Sequence, residues 1–361
     1  MIVLGIESSC DETAAAVVRD GRQVLSSVIA SQYDLHEEYA GVVPEIASRA
    51  HVEAIVPTIR EALSEAGLGL GMIDAVAVGN RPGLIGSLLI GVAAAKSLAW
   101  SLGKPLIGVD HVQSHLYSGL LIEPSEAGAT PNASPDPSTL FPALGLVVSG
   151  GHTSLYRINS FTDLKRLGAT IDDAIGEAFD KAATILTLPH PGGPNLDRLA
   201  RSPGANDRAF DFPISRLGTD SLDFSFSGLK TSLLYQVRGV PNAREAALAV
   251  APPLTPDRQR DLAASFQRAA IASIILKLNR AHASFANTPP RALFVGGGVS
   301  ANSRLRTDLQ AWSADHGLPL FIPPMRYCMD NAAMIAGLGT VLLQAGQSSD
   351  LTLEAVPTTA V

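Results

Sequence analysis

Cysteine is scarce in this chain of 361 residues, which contains only Cys10 and Cys328. Two cysteines are too few for a disulfide framework, so the small secreted domains that depend on one are excluded. The N-terminal stretch MIVLGIESSCDE has no basic region and turns acidic early, unlike a signal peptide. We therefore expect a cytoplasmic protein.

Positive charge is also in short supply, with 27 Lys and Arg against 34 Asp and Glu and a formal net charge of −7. This balance argues against a nucleic-acid-binding protein that works through bulk charge. A local basic surface or a basic partner subunit remains compatible with it. The charge thus argues against one mode of nucleic-acid binding only.

Long uninterrupted apolar runs are rare, although 46% of the residues are hydrophobic. That content supports large buried cores and excludes a globally disordered chain. The most apolar run, GLIGSLLIGVAAAKSLAW at 83–100, is rich in glycine and alanine and is interrupted by Lys96. We interpret it as a buried helix rather than as a membrane span.

Two segments repeat the pattern of a β-hairpin with a small polar turn, at residues 2–18 and 143–158. A second pair, beginning at Asp74 and Arg291, runs from a buried strand through glycines into a helix. Such a turn directs the helix N-terminal amides toward an anion or a nucleotide. The repetition predicts two related α/β lobes with a cleft between them, although chance similarity of two ordinary α/β patterns stays open.

The length favours two domains, and composition predicts where they meet. Residues 123–142 are rich in proline, serine and alanine, as expected of a linker or surface loop. This gives an N-terminal lobe at 1–122 and a C-terminal lobe at 143–361. We expect the second lobe to carry a mainly helical insertion around 160–260.

His111 and His115 stand four residues apart in the segment GVDHVQSHLYSG. On a helix this spacing places both on one face, which suits two ligands of one metal ion, and Asp110 is a plausible N-cap. A metalloprotease helix would have glutamate directly after the first histidine, where this chain has Val112. The pair alone leaves a metal site and merely solvated or hydrogen-bonded histidines both open.

Asp330 precedes an alanine-rich helix predicted from RYCMDNAAMIAGLG. It could cap that helix, or it could complete a site of two histidines and one carboxylate. Such a site leaves positions open for substrate and suits iron or another borderline divalent ion.

Small polar turns supply further candidates for substrate binding. The turn SGGHT at 149–153 can wrap phosphate or carbamoyl oxygens. In the equivalent turn of the first hairpin, Asp11 and Glu12 could position a metal-bound phosphate, act as a base, or be solvated.

Three more polar side chains could contact a nucleotide-like substrate. Asp180 lies on a predicted helix, and Asp197 follows the glycine turn at 192–193, so both carboxylates could hold ribose hydroxyls. Asn302 begins a helix behind three glycines, where it could contact adenine or ribose or act as a plain helix cap.

Eight strings, in one order along nearly the full chain, resemble the motifs of the tRNA N6-adenosine threonylcarbamoyltransferase family. They are GIESSCDET, HVQSH, SGGHT, IDDAIGEAFDK, PGGP, FSFSGLKT, GGGVSANSRLR and CMDNAAMIA. The family was once labelled O-sialoglycoprotein endopeptidase and belongs to the actin, sugar-kinase and Hsp70 superfamily. The resemblance therefore implies an α/β fold of two duplicated actin/Hsp70-like lobes with a cleft between them.

The resemblance also implies a reaction and its partners. The enzyme would be an acyltransferase that moves the threonylcarbamoyl group from threonylcarbamoyl-AMP to N6 of adenosine 37, in tRNAs that read codons beginning with A. AMP would leave. The implied partners are tRNA, a catalytically silent paralogue subunit and a small ATPase subunit, with no membrane involved.

Site residues are implied by the same match. His111, His115 and Asp330 would bind one divalent metal ion, expected to be Fe2+. Asp11 or Glu12 would accept a proton or orient the substrate. The nucleotide-like substrate would be held by Val147, Val148, Ser149, Gly150, Gly151, Asp180, Gly193, Asp197 and Asn302. One departure from the usual motif is His190, which stands where the family has a tyrosine before PGGP.

Three other functions remain open on the sequence. A metallopeptidase would need a general base where the chain has Val112. A small-molecule kinase of the same superfamily would fit the duplicated turns but would not require HxxxH and a distant aspartate. A non-catalytic scaffold paralogue could lose its metal ligands, so retention of all three favours catalysis.

Overall fold

The computed structural model describes residues 1–36, 39, 41–123, 137–214, 217–240, 251–285 and 288–358. Most of the predicted linker, at 124–136, lies outside the described residues, and so do 241–250 of the predicted helical insertion.

Two five-stranded mixed sheets form the centre of the molecule. The first contains β1 (Ile2–Glu7), β2 (Glu12–Arg19), β3 (Gln23–Ser31), β4 (Ala75–Arg81) and β5 (Leu106–Asp110). The second contains β6 (Ala143–Val148), β7 (Thr153–Ser160), β8 (Asp163–Ala169), β9 (Leu293–Gly296) and β10 (Leu320–Phe321).

Both sheets have the same topology. The strand order is β3-β2-β1-β4-β5 in the first and β8-β7-β6-β9-β10 in the second. In each, the first three strands of the lobe pair antiparallel and the last two join in parallel. The predicted α/β fold with two duplicated lobes is therefore confirmed, while the lobe boundaries at 122 and 143 stay a prediction.

The helices are arranged in layers around these sheets. They are α1 (Tyr33–His36), α2 (Pro44–Glu65), α3 (Ile85–Leu102), α4 (His111–Tyr117), α5 (Ile175–Ile185), α6 (Gly192–Ala200), α7 (Ser227–Arg238), α8 (Pro256–Ala283), α9 (Ser303–Asp315) and α10 (Ala332–Gln344). Short 3-10 helices occupy Leu70–Met72, Ser118–Leu120, Pro137–Leu140, Gly298–Ala301 and Met325–Tyr327. Helices α2 and α3 cover the outer face of the first sheet, and α5 to α9 share one apolar core with the second.

Helices α4 and α10 lie between the two sheets and connect the lobes. Helix α4 follows β5 of the first sheet but packs on β6 and β9 of the second. Helix α10 follows β10 of the second sheet but packs on β1, β2 and β4 of the first. Because strands β1, β2 and β6 have helices on both faces, their apolar runs are almost continuous rather than alternating. Because each of these two helices packs on the sheet of the other lobe, the start of α4 lies close to the segment before α10.

Helix α3 contains residues 85–100 of the apolar run at 83–100. Within the described residues it alone is long and apolar enough to cross a membrane, judged by length and composition. One face packs on β4 and α2 and buries Leu88, Val92 and Ala95, whereas Leu89 on the other face is 52% exposed. The helix is therefore a surface helix of the first lobe and is buried on one face only.

Candidate active site

The two histidines lie on α4, one turn apart. Asp110 caps the helix by accepting a hydrogen bond from the backbone N–H of Gln113 at 3.0 Å, as predicted. Both imidazole rings are buried, with centroids 4.8 Å apart. The helix packs so closely on β9 that a Cβ at Gly296 would overlap the His115 carbonyl. These contacts fix both rings at the interface of the lobes.

Asp330 completes the cluster from the segment before α10. Its Oδ1 atom lies 3.4 Å from His111 Nε2 and 3.2 Å from His115 Nε2. The cap of α10 is the next residue, Asn331, whose side chain accepts from the Met334 N–H at 3.0 Å. Asp330 is therefore not the helix cap, and its carboxylate is directed at the histidines.

The three side chains fit a metal ion. One ligand atom from each can be chosen so that all lie within 4.8 Å of one another. Ligands about 2.1 Å from one ion are about 3.0 to 3.4 Å apart in octahedral or tetrahedral geometry, which matches the nitrogen–oxygen distances. Both ring nitrogens of His115 are buried without a hydrogen-bond partner among the described residues. A cation would satisfy the Nε2 lone pair, and two imidazoles with one carboxylate suit a borderline divalent ion.

The pKa values of this cluster depend on two effects, which are burial and the attraction between the carboxylates and the histidines. Burial alone would raise the pKa of Asp330, but His111 and His115 hold it well below its usual range. Burial would lower the pKa of His111, but Asp330 and Glu7 raise it well above 6.5. Burial lowers the pKa of His115. Asp330 is 24% exposed whereas His115 is 1% exposed, so the cluster opens to solvent on the carboxylate side.

Glu7, at the end of β1, was missed by the sequence reasoning. Its carboxylate is fully buried, and Oε2 lies 3.1 Å from His111 Nδ1. Its Oε1 accepts the N–H of Ser9 at 2.6 Å, and the Ser9 hydroxyl lies 3.2 Å from the same His111 nitrogen. The available signal was one acidic residue inside the buried strand IVLGIE.

Asp11 and Glu12 occupy the turn after β1 and the start of β2. Burial, followed by the charges of Asp330 and Asp11, raises the pKa of Glu12 to about 9. His51 of α2 contacts this turn through both ring nitrogens. Its Nδ1 atom lies 2.7 Å from Thr13 Oγ1, and its Nε2 atom lies 3.0 Å from the Cys10 carbonyl oxygen. Sequence reasoning missed His51, because nothing in α2 indicates which turn it would contact.

The SGGHT turn follows β6, at the position that the Asp11 turn has after β1. Ser149 N–H donates to the His152 carbonyl oxygen at 2.7 Å, and Ser149 Oγ accepts from the His152 N–H at 3.0 Å. A Cβ at Gly150 or Gly151 would meet no heavy atom within 4 Å, so the turn has open space beside it. Burial, then the nearby His111 and His115, lowers the pKa of His152 to about 4, which keeps its ring neutral.

Val147 and Val148 lie at the carboxyl end of β6 with fully buried side chains. Their backbones pair with Ser154 and Thr153 of β7, so any contact with substrate at this point would come from the turn that follows. Gly297 lies close to this strand end, since a Cβ there would overlap the Val148 carbonyl oxygen.

The other predicted substrate residues lie around the N-termini of α6 and α9. Asp180 accepts the Gly193 N–H at 2.9 Å, and burial raises the pKa of this carboxyl. Asp197 accepts from Ser303 Oγ at 2.7 Å. Asn302 caps α9 through the Leu305 N–H at 3.0 Å. These contacts therefore link α5 to α6 and α6 to α9 at this edge of the second lobe.

A contact between the two lobes lies beside these residues. The rings of Tyr33 from α1 and His190 are stacked, 5.4 Å apart, and His190 Nδ1 lies 3.2 Å from the Tyr33 hydroxyl. His190 is the position at which the sequence departs from the family motif, so the departure lies at the edge of the candidate substrate site.

Comparisons with known proteins agree with this architecture. The family described as TsaD, tRNA N6-adenosine threonylcarbamoyltransferase, matches residues 23–337. A protein of that name from Anaeromyxobacter dehalogenans (strain 2CP-C) is 48% identical over 98% of this chain and 98% of its own length. Another from Trichlorobacter lovleyi is 47% identical over 99% of this chain and 96% of its own length.

A solved structure supports the fold independently. The crystal structure of T. kodakarensis HypF superposes with a TM-score of 0.59 at 14% identity, covering 95% of this chain and 48% of that one. At this identity the likeness concerns the fold alone. Together with the match over 23–337, the full-length relatives show that the chain belongs to the tRNA N6-adenosine threonylcarbamoyltransferase family.

Proposed function

We propose that this chain transfers the threonylcarbamoyl group from threonylcarbamoyl-AMP to N6 of adenosine 37, in tRNAs that read codons beginning with A. The observation that carries the proposal is the convergence of His111, His115 and Asp330 between the lobes, near the SGGHT turn. Neither a phosphate-binding turn nor a kinase-like fold would by itself require that cluster.

His111, His115 and Asp330 would hold one divalent cation, which we propose to be Fe2+. When bound, it would supply Lewis-acid stabilisation of negative charge on a carbamoyl or phosphate oxygen. The three ligands come from segments more than two hundred residues apart in the chain, so their geometry depends on the packing of α4 and α10. The chemistry would therefore depend on how the two lobes pack against each other.

The substrate would lie along the second lobe. The turn Ser149 to Gly151, after Val147 and Val148, would contact its phosphate or carbamoyl oxygens through the backbone amides of Gly150 and Gly151. Its nucleoside part would lie toward the polar edge formed by Asp180, Gly193, Asp197 and Asn302. Adenine N6 is a poor nucleophile, so holding it against the activated carbonyl would supply much of the acceleration.

Asp11 and Glu12 would have different roles toward the substrate. Glu12 favours its protonated form at neutral pH in the metal-free protein, because burial and the charges of Asp330 and Asp11 raise its pKa to about 9. It would therefore donate a hydrogen bond to the substrate, whereas Asp11 would accept the proton lost from N6.

We also propose cytoplasmic partners: the tRNA, a catalytically silent paralogue and a small ATPase. The net charge of −7 supports sharing the tRNA surface with other subunits. Exposed apolar side chains on α2 and α3, such as Val52, Val56 and Leu89, are of the kind that a subunit contact covers.

The test is transfer of labelled threonylcarbamoyl from its adenylate to an A-codon tRNA transcript, with and without the proposed partner subunits. We expect transfer by the wild type with its partners and none by Asp330→Ala. The control is Asp315→Ala, which removes an exposed aspartate of α9 and should leave transfer unchanged.

Three other outcomes would contradict parts of the proposal. Equal transfer by wild type and Asp330→Ala would remove the carboxylate from the chemistry. Full transfer without partners would remove the need for them. No transfer by either, with partners proven competent beside a known catalytic subunit, would favour the scaffold, or the kinase if ATP-dependent phosphorylation of a sugar is found.

A further inference from the structure

The turn between β1 and β2 is held from outside through three consecutive backbone carbonyls. The Ser9 carbonyl oxygen accepts from the Leu84 N–H, just before α3, at 2.8 Å. The Asp11 carbonyl oxygen accepts from the Gln32 N–H, just after β3, at 3.2 Å. Both donors are backbone groups of neighbouring elements, whereas the carbonyl between them, that of Cys10, has a side chain as its partner.

That side chain is His51 of α2. Its Nε2 atom lies 3.0 Å from the Cys10 carbonyl oxygen, and its Nδ1 atom lies 2.7 Å from Thr13 Oγ1. A carbonyl oxygen only accepts, so Nε2 carries a proton and donates. The threonine hydroxyl can donate or accept, so the second contact forms whether the ring is neutral or charged. His51 therefore holds both ends of the segment from Cys10 to Thr13.

The two contacts of His51 enclose the residues that the proposed function places beside the substrate. Only Asp11 and Glu12 lie between the two residues that His51 contacts. The same turn reaches the metal cluster, since Ser9 Oγ lies 3.2 Å from His111 Nδ1. The position of the turn beside the cluster therefore depends on its contacts with α2.

Solvent has no access to this connection, because the side chains of His51 and Thr13 are both fully buried. If the ring were removed, the Thr13 hydroxyl would stay buried without this partner, which is unfavourable. The segment would then have to shift to find another hydrogen bond. A change at His51 should therefore move the turn rather than be compensated by water.

We propose that His51 is a positioning residue, which holds the backbone of the turn so that Asp11 and Glu12 face the substrate. The proposal rests on the proposed function, in which these two carboxyl groups contact the reacting atoms. A misplacement of about 1 Å at reacting groups can cost about 100-fold in rate. Loss of His51 should therefore lower kcat much more than it raises the KM for tRNA.

The experiment measures transfer kinetics with the partner subunits, the free energy of unfolding, and amide hydrogen exchange at Leu84 and Gln32. In His51→Leu, which removes both ring nitrogens, we expect kcat to fall about 100-fold with the KM for tRNA unchanged. The Leu84 and Gln32 amides, which donate to the turn, should exchange faster. In His51→Gln the side-chain amide can still donate to the Cys10 carbonyl, so this variant should recover most of the lost kcat.

A second variant keeps the ring, in case His51→Leu folds poorly. Thr13→Val removes the hydroxyl beside Nδ1 at nearly constant volume, and kcat should fall about tenfold because the contact with Cys10 remains. The matched control is Thr58→Val, which removes a buried hydroxyl of α2 that donates to the Ala54 carbonyl oxygen at 2.8 Å. It should lose similar stability with unchanged kcat.

The outcomes separate this proposal from the proposed function. If the wild type transfers, a wild-type kcat in both His51→Leu and Thr13→Val would overturn the positioning role, and so would an equal loss of kcat in Thr13→Val and Thr58→Val. If the wild type shows no transfer, the proposed function fails instead. Amide exchange then decides the role of His51, and unchanged exchange at Leu84 and Gln32 in His51→Leu would overturn it.

Discussion

Glu12 illustrates how one residue takes its chemistry from its neighbours. It begins β2, where it is partly buried and close enough to Asp11 for a side-chain hydrogen bond, and it is subject to the charges of Asp11 and Asp330. Burial and these like charges all disfavour the ionised carboxyl, so the pKa rises from 4.5 to about 9. A cation beside Asp330 would oppose this effect, which links the proton on Glu12 to metal binding.

The raised pKa has a consequence for stability. A folded-state pKa above the unfolded value means that the neutral carboxyl contributes stability below about pH 4.5, and this contribution is lost as the pH rises toward about 9. Glutamine keeps the shape without the charge. In metal-free protein, Glu12→Gln should therefore gain free energy of unfolding relative to wild type as the pH rises from about 5 to about 8.

Denaturant unfolding of both proteins in the presence of a chelator checks this prediction. Parallel pH dependence in wild type and Glu12→Gln would mean that Glu12 is ionised in the folded protein, and it could then not serve as the hydrogen-bond donor proposed above.

Single residues also show how much of the site could be predicted from the sequence. His111 and His115 could be identified because their spacing is local, and Asp330 because its string resembles a family motif. Glu7 could not be assigned, since its partner lies 104 positions later and nothing in the order of residues shows that β1 ends against α4. The same holds for His51, whose contact with Thr13 depends on the packing of α2 on the first sheet.

At the scale of elements, helix ends position the site. Asn331 accepts from the Met334 N–H, and its amide donates to the Met329 carbonyl oxygen at 2.8 Å, so it fixes the backbone on both sides of Asp330. The sequence left open whether Asp330 caps α10. In the structure Asn331 caps α10, and the Asp330 carboxylate contacts the two histidines.

Asn331→Ala should therefore affect stability and metal binding together. Loss of the cap should lower the free energy of unfolding by about 1 kcal/mol, and the loosened Asp330 should weaken Co2+ binding about tenfold. Thr255→Ala removes the cap of α8, whose hydroxyl accepts from the Arg258 N–H, and provides the comparison. It should lose similar stability with no change in Co2+ affinity, and an equal change in both variants would refute a specific role for Asn331.

Two carboxylates of the family string IDDAIGEAFDK, Asp172 and Asp173, make contacts that tie helices together. Asp172 accepts from the Phe226 N–H at 2.8 Å and from Ser227 Oγ at 2.7 Å, which ties IDDAIGEAFDK to the start of α7 in FSFSGLKT. Asp173 pairs with Lys181 and Lys230, which joins α5 to α7. A motif match alone could not separate these structural carboxylates from those proposed to contact a ligand.

At the scale of the whole molecule, the duplication is what builds the site. The repeated hairpins and strand-to-helix turns were sufficient to predict two related lobes. They could not predict that α4 and α10 each pack on the sheet of the other lobe, because crossing helices leave no periodic signal. That exchange brings His111 and Asp330 together, and the stacking of Tyr33 on His190 adds a second connection between the lobes.

The most direct test of the proposed metal-dependent transfer is to measure transfer activity as a function of bound metal. Protein stripped with a chelator would be reloaded anaerobically with Fe2+ and assayed for threonylcarbamoyl transfer to tRNA, together with its partners. We predict no transfer without metal, and a transfer rate that rises with metal occupancy and saturates at about one ion per chain. Full transfer by the stripped protein would contradict this prediction.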